Sequence, residues 1–151
     1  MLVATSISSK EVVGFSSTTM TSPSAEFENP DLSNETGCYF AGAAIDKREQ
    51  GNGLYHMLNR ERILYAKDNF AENIFTRTQN PRVHEGITNS IYRHEPELGI
   101  SLAAMSRVIV RNVYGQMLTA DKPYARYTSH DDLNIDNGDA AIITWYIDRT
   151  L

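Results

Sequence analysis

The chain has one cysteine, one tryptophan and five prolines in 151 residues, and its acidic side chains outnumber the basic ones 19 to 14. Each scarcity excludes something. With Cys38 alone, no disulfide can close within the chain and no zinc site of several thiolates can be built. That fits a reducing, cytoplasmic setting. A formal net charge of −5 leaves out the clustered Lys and Arg that non-specific nucleic-acid binding requires, although a small local pocket of donors is still compatible with it. No stretch approaches the roughly 18 uninterrupted apolar residues of a membrane-crossing helix, so no membrane partner is expected. Met1 to Lys10 also lacks the basic start and apolar run of a secretory signal. The histidines His56, His84, His94 and His130 show no metal-binding spacing, and no catalytic metal is expected. Asp132-x-Asn134-x-Asp136 begins like a calcium loop, but Asn137 stands in place of its glycine and Ile143 in place of its bidentate glutamate, so a solvated turn is the reading.

What is present is ordinary for one globular domain over 1–151, with 41% hydrophobic and 22% charged residues. Leu2–Ser8 and Glu11–Ser17 read as a hairpin about a polar turn. Thr18–Gly37, rich in Ser, Thr, Pro and Asn, reads as a long exposed loop. Cys38–Ile45 is a continuous apolar run, expected as a strand buried on both faces. A helix follows over about Leu54–Asn69, with Leu54, Met57, Leu58, Leu64 and Tyr65 on its apolar side and Glu61 inside the same stripe. Such a carboxylate needs a partner, and Arg77 is a candidate for it. Asn73–Thr78 reads as a strand, Asn80-Pro81 as the start of a helix running to about His94, and Arg107–Tyr114 and Ala140–Ile147 as two more strands. Cys38 is expected to be a small core residue. The order predicts an α/β (α+β) fold around a mixed sheet.

The chemistry concentrates between Ala43 and Leu58. A buried strand feeds a glycine-bearing loop that opens a helix. The first N–H groups of a helix have no partner within it and carry partial positive charge. Glycines let the backbone approach a phosphate, and Arg48 adds a guanidinium. This is a cradle for a pyrophosphate. A dinucleotide fingerprint fails, because His56 occupies the position of its third glycine, and no Gly-Lys-Ser/Thr phosphate loop occurs.

Arg48-Glu49-Gln50-Gly51-Asn52-Gly53 resembles the acetyl-CoA motif of the GNAT N-acetyltransferases, [Gln/Arg]-x-x-Gly-x-[Gly/Ala]. Ile45-Asp46 before it, Leu54, Leu58 and Tyr65-Ala66 after it, Ile74-Phe75-Thr76 and Asn80 stand where that family has a strand end, a helix, the next strand and an Asn. The hairpin with Val12-Val13-Gly14-Phe15 is similar to the family's second and third strands. The resemblance implies a mixed central sheet with splayed strands, flanked by helices and lacking the family's opening strand and two helices at its start. It further implies acetyl-CoA as co-substrate, with pantetheine along Ala44, Ile45 and Asp46. Its pyrophosphate would lie on the amides of Gln50, Gly51, Asn52, Gly53 and Leu54 beside Arg48, and the Asn80 side chain would bond the pantetheine arm. The implied reaction is direct attack of a primary amine on the thioester, the acceptor being open. Many members carry a Tyr seven residues after that Asn as general acid; here Ile87 holds the place. Glu85, Tyr92 and Glu61 are the candidate acid and base groups, with His84 and Glu72 also nearby in sequence. A non-catalytic acyl-CoA-binding or interaction module is the alternative. The first strand would be an open sheet edge, which favours a homodimer.

Overall fold

The computed structural model of the chain describes residues 1–78, 81–99, 101–110 and 139–148. Strands β1 (Leu2–Thr5) and β2 (Val12–Thr21) form the opening hairpin. Helix α1 (Pro23–Glu26), β3 (Gly37–Ile45), α2 (Leu54–Asp68), β4 (Asn73–Thr78), α3 (Pro81–Leu98), β5 (Ser101–Val110) and β6 (Ala140–Asp148) follow. The strands form one sheet in the order β1-β2-β3-β4-β6-β5. Only β3 and β4 run parallel; every other neighbouring pair is antiparallel. The expected mixed sheet with flanking helices is the observed architecture. No described helix is long and apolar enough to cross a membrane.

The two faces of the sheet follow from strand alternation. Cys38, Phe40, Ile74, Ala141, Ile143 and Trp145 share one core cluster with Ile63 and Ala66 of α2 and Ile87 and Ile91 of α3. The buried Cys38 thiol is pushed up to about 12 by desolvation, as suits a core residue. On the opposite face Tyr39 stacks on Phe75 with centroids 5.2 Å apart, and Phe27 meets both rings edge-on.

Several expectations from sequence need correction. Thr18–Gly37 is not one exposed loop. β2 runs on to Thr21, where Thr18 and Thr19 pair with Phe40 and Tyr39. β-branched Thr suits extended backbone despite its hydroxyl. Ser22 then caps α1, and Pro23, Ser24 and Leu32 are buried. Helix α3 passes the expected stop at His94 and continues through Pro96 to Leu98. A proline this close to the end removes one late hydrogen bond, and the last turn is held by Arg60 on Glu97 and by the Lys67 ammonium on the Leu98 carbonyl. β5 starts at Ser101 instead of Arg107, and residues 111–114 lie outside the described residues.

The buried face of α2 is also rotated from the expected one. Leu58, Asn59, Arg62, Ile63 and Ala66 are buried, while Met57 and Tyr65 are exposed. Glu61 points outward and bonds Arg60 at 2.9 Å, so Arg77 is not its partner. The cause is Arg62, which is 1% exposed. Its guanidinium lies 4.0 Å over the Phe40 ring and donates to Asn59 Oδ1 and the Ser17 carbonyl, both at 3.1 Å. Desolvation lowers its pKa to about 10, still well above neutrality, so a cation sits in the core without a carboxylate among these contacts.

β3 is not buried throughout. It pairs with β4 only at Gly37, Cys38 and Tyr39, against Asn73, Ile74 and Phe75. Gly37 through Phe40 are buried, and from Ala41 the strand is open. A Cβ at Gly37 would collide with Asn73 Oδ1 and meet the Phe75 ring at 2.9 Å. Gly37→Ala should therefore lower stability by about 1–3 kcal/mol through overpacking, read as a lower urea midpoint. An unchanged midpoint would show that the strands do not meet so tightly there.

Candidate functional site

Where β3 leaves β4, the Phe40 carbonyl accepts from the Thr76 hydroxyl at 2.9 Å. Beyond that point β3 keeps its partner on the β2 side alone, through Ile45 against Gly14. Asp46 N–H donates to the Val13 carbonyl at 2.8 Å, so Asp46 faces β2. By antiparallel alternation Ala44 does too, whereas Ala43 and Ile45 turn their backbone groups to the open edge. Of the backbone expected to face a ligand at Ala44, Ile45 and Asp46, only that of Ile45 does. Its carbonyl accepts Gln50 Nε2 at 3.2 Å, and Ala43 joins it on that edge.

The loop after β3 is braced by Asp46. Its carboxylate accepts from Arg48 N–H at 2.8 Å and holds the Arg48 guanidinium in a fork at 3.1 and 2.8 Å. Glu11 adds a weaker contact at 3.7 Å. These bonds hold the Asp46 carboxyl down to about 2 and raise the Arg48 pKa. Arg48, expected beside a diphosphate, instead locks the one-turn 3-10 helix Lys47–Glu49 and does not line the cleft described next. Two residues with opposite charge at this spacing satisfy each other first.

Gly53 stands at the N-cap of α2 with φ 77°, and no side chain caps the helix. Gly51 has φ 87°, and a Cβ at either position would meet nothing, so the glycines serve backbone shape and open access. The first helical bond runs from Met57 N–H to the Gly53 carbonyl at 3.1 Å. Among the described residues no group accepts from the amides of Gly51, Gly53, Leu54, Tyr55 or His56, and Asn52 N–H reaches Glu49 only at 3.4 Å. Ala43, Ala44, Ile45, Glu49, Gln50, Gly51, Gly53 and Leu54 line a cleft of about 620 Å³ together with Tyr55, His56 and Arg93. Strand edge and orphan amides thus open into one space.

Helix α3 forms the far wall. Ser90, fully buried, meets His56 Nδ1 at 2.6 Å and accepts from Asn59 Nδ2 at 3.2 Å. His94 Nε2 lies 3.2 Å from the His56 carbonyl. Burial, then the charges of Arg93 and His94, push the His56 pKa down, so the ring is neutral at neutral pH. Burial raises the Tyr55 phenol.

Among the described candidates for acid and base from sequence, none lines this cleft: Glu61 is turned outward, and Glu85 and Tyr92 are exposed on α3, while the His84 side chain lies outside the description. Glu72 is exposed before β4. Ile87 is buried in the core. Asn80, His130 and the Asp132–Asp136 segment lie outside the described residues. Sequence reasoning missed Tyr55, His56 and Arg93. His56 follows Gly53 by three residues and so falls in the first helical turn, which was a usable signal. Arg93 had none, since it reaches the site only through the packing of α3 on α2.

A depressed carboxyl favours the folded state above its unfolded pKa of about 3.9 and withdraws that help as pH falls through its folded value. The Asp46 brace should thus be complete above about pH 4 and be lost towards pH 2. A carbon-detected titration of Asp46 should give a midpoint at about 2; one near 4 would mean the fork to Arg48 does not hold in solution.

No protein-family model matches the chain. No curated protein matches it either. Among solved structures, Naa20 of Chaetomium thermophilum, crystallised with a bisubstrate analogue, superposes with a TM-score of 0.56 at 13% identity, over 96% of this chain and 64% of that one. This chain therefore spans less than two thirds of that structure. An acetyltransferase of Bacillus subtilis in complex with CoA matches at a TM-score of 0.47 and 17% identity, over 91% of this chain and 71% of the other. Nourseothricin acetyltransferase matches at 0.46 and 13%, over 96% and 62%. With the strand order, the single parallel pair that splays, and the superposition on Naa20, the chain has the fold of the GNAT acetyltransferases.

Proposed function

We propose that the chain, as one acyltransferase domain, binds acetyl-CoA in the cleft and transfers the acetyl group to a primary amine within a ternary complex. The observation that carries this reading is the joining of the open β3 edge and the unbonded amides of Gly51, Gly53, Leu54, Tyr55 and His56 in one space. A pantetheine arm carries amides along an extended chain and can pair with Ala43 and Ile45 as another strand would. A diphosphate satisfies the orphan amides at the start of α2 and is favoured by the helix dipole. Arg48 acts through Asp46 to hold the loop in shape.

In the reaction the amine nitrogen attacks the thioester carbon, and the charge on the carbonyl oxygen is met by a backbone N–H of the β3 edge. The C–S bond then breaks and the sulfur leaves with the bonding pair. The attacking nitrogen loses its proton to water. Tyr55 is the phenol among the described lining residues, and burial keeps it protonated, so it is suited to give the thiolate its proton.

Binding without turnover is the second reading. It is favoured by Ile87, buried where many GNAT enzymes present a tyrosine.

The test is thiol release from acetyl-CoA with a panel of amines, alongside calorimetry of CoA binding. Wild-type protein should bind CoA and release thiol, and Tyr55→Phe should lower turnover about 10²-fold or more with little change in affinity. Binding with no thiol release for any amine would favour the second reading. Gly53→Asp should abolish binding, because a carboxylate at the N-cap takes the same amides and repels phosphate. Unchanged CoA affinity in that variant would sink the site assignment.

A further inference from the structure

Resting on the reading that the cleft takes a CoA diphosphate, we infer that Arg93 and the Nε2–H of His56 supply the side-chain half of its cradle, a role the loop motif assigns to Arg48.

A diphosphate on backbone amides alone carries uncompensated negative charge, and Glu49 in the cleft wall adds to it. The Glu49 carboxylate is engaged by Asn52 Nδ2 at 3.3 Å, which does not cancel its charge. Arg48 is forked onto Asp46, and Arg60 is held by Glu97 and Glu61 at 2.8 and 2.9 Å. Arg93 differs. It lines the cleft, it is near enough to His56 to shift its titration, and among the described residues no carboxylate pairs with it. A guanidinium without a counter-ion in the wall of an anion-shaped cleft is free to fork onto phosphate oxygens.

Hydrogen bonds around Ser90 place the proton on His56. Arg62 can only donate, so the atom of Asn59 facing it is Oδ1. Asn59 Nδ2 therefore faces Ser90 and donates to its hydroxyl oxygen. Among the described residues the buried Ser90 hydrogen has no acceptor other than its second neighbour, His56 Nδ1, which is therefore assigned as the bare nitrogen of the ring. A neutral imidazole with bare Nδ1 carries its proton on Nε2. Nδ1 is turned to the buried serine, and Nε2 has no partner among the described residues, so a ring in the cleft wall presents a donor there. The same hydrogen bonds deny His56 the role of a base at Nε2. A chain that starts at the buried Arg62 ends as an N–H donor in the cleft, next to Arg93 on α3 and to the helix amides on its own backbone.

Calorimetry on the whole chain tests this with two ligands: CoA, and dephospho-CoA, which keeps the diphosphate and lacks the 3′-phosphate. Arg93→Gln should weaken both by about ten- to a hundredfold, while Arg60→Gln, a cation outside the cleft, should leave both unchanged. Equal affinity of Arg93→Gln and wild type would overturn the inference and leave the CoA site standing. A loss confined to CoA would place Arg93 on the 3′-phosphate and overturn it as well. Wild-type protein that binds neither ligand would overturn this inference and the reading beneath it together. For His56, the nitrogen chemical shifts of the unliganded protein should report Nε2–H with bare Nδ1; the opposite tautomer would remove His56 from the cradle.

Discussion

The parting of β3 from β4 is the constraint on which the site depends. Two parallel strands that stayed zipped would satisfy each other's backbone and present a closed sheet. Here the pairing ends after Tyr39 and Phe75. The Thr76 hydroxyl takes the Phe40 carbonyl, and β4 continues along β6 as far as Thr78 against Ala141. β3 meanwhile follows β2 to Ile45. Each strand keeps one full partner, so the sheet holds, and each loses the other, so an edge is exposed in the middle of the sheet. Exposed backbone in such a place binds something or costs stability. The loop from Asp46 to Gly53 brings the bare start of α2 to the end of that same edge.

A polar seam between α2 and α3 decides which way α2 faces. Arg62, Asn59 and Ser90 are buried and bonded in series, with Arg62 resting on Phe40. A buried cation is tolerated because two acceptors and an aromatic face replace water around the guanidinium, though its Nε has no partner. Seating Arg62 inward turns Tyr55 and His56 toward the cleft and α3, and leaves Met57 and Tyr65 outside. The packing that stabilises the core therefore also aims the first turn of the helix. Structure and candidate chemistry share these residues.

Much of this was legible from local pattern. The apolar run Cys38–Ile45, the glycines after it and the helix beyond announce a strand, a glycine-bearing loop and a helix start, because each signal depends on residues a few positions apart. Asn73–Thr78 came out with its observed bounds for the same reason. Errors arose where a local rule was overridden from elsewhere in the chain. Hydroxyl-rich Thr18–Thr21 looks like loop until β3 pairs with it. Pro96 looks like a stop until Lys67 and Arg60 hold the turn that contains it. Met57 and Tyr65 look like part of the inner face of α2 until Arg62 seats itself over Phe40.

By itself the sequence determined the order of the strands and of the two long helices, the glycine positions at the start of α2 and the single buried thiol, all set by backbone preference and side-chain polarity over short spans. Tertiary structure alone decided that Ala43 and Ile45 present the open edge and that His56 and Arg93 meet in one cleft. Those outcomes depend on strand register, helix rotation and the contact of α3 with α2. The meeting of His56 with Arg93 joins residues more than thirty positions apart in the chain, a separation that no spacing rule encodes.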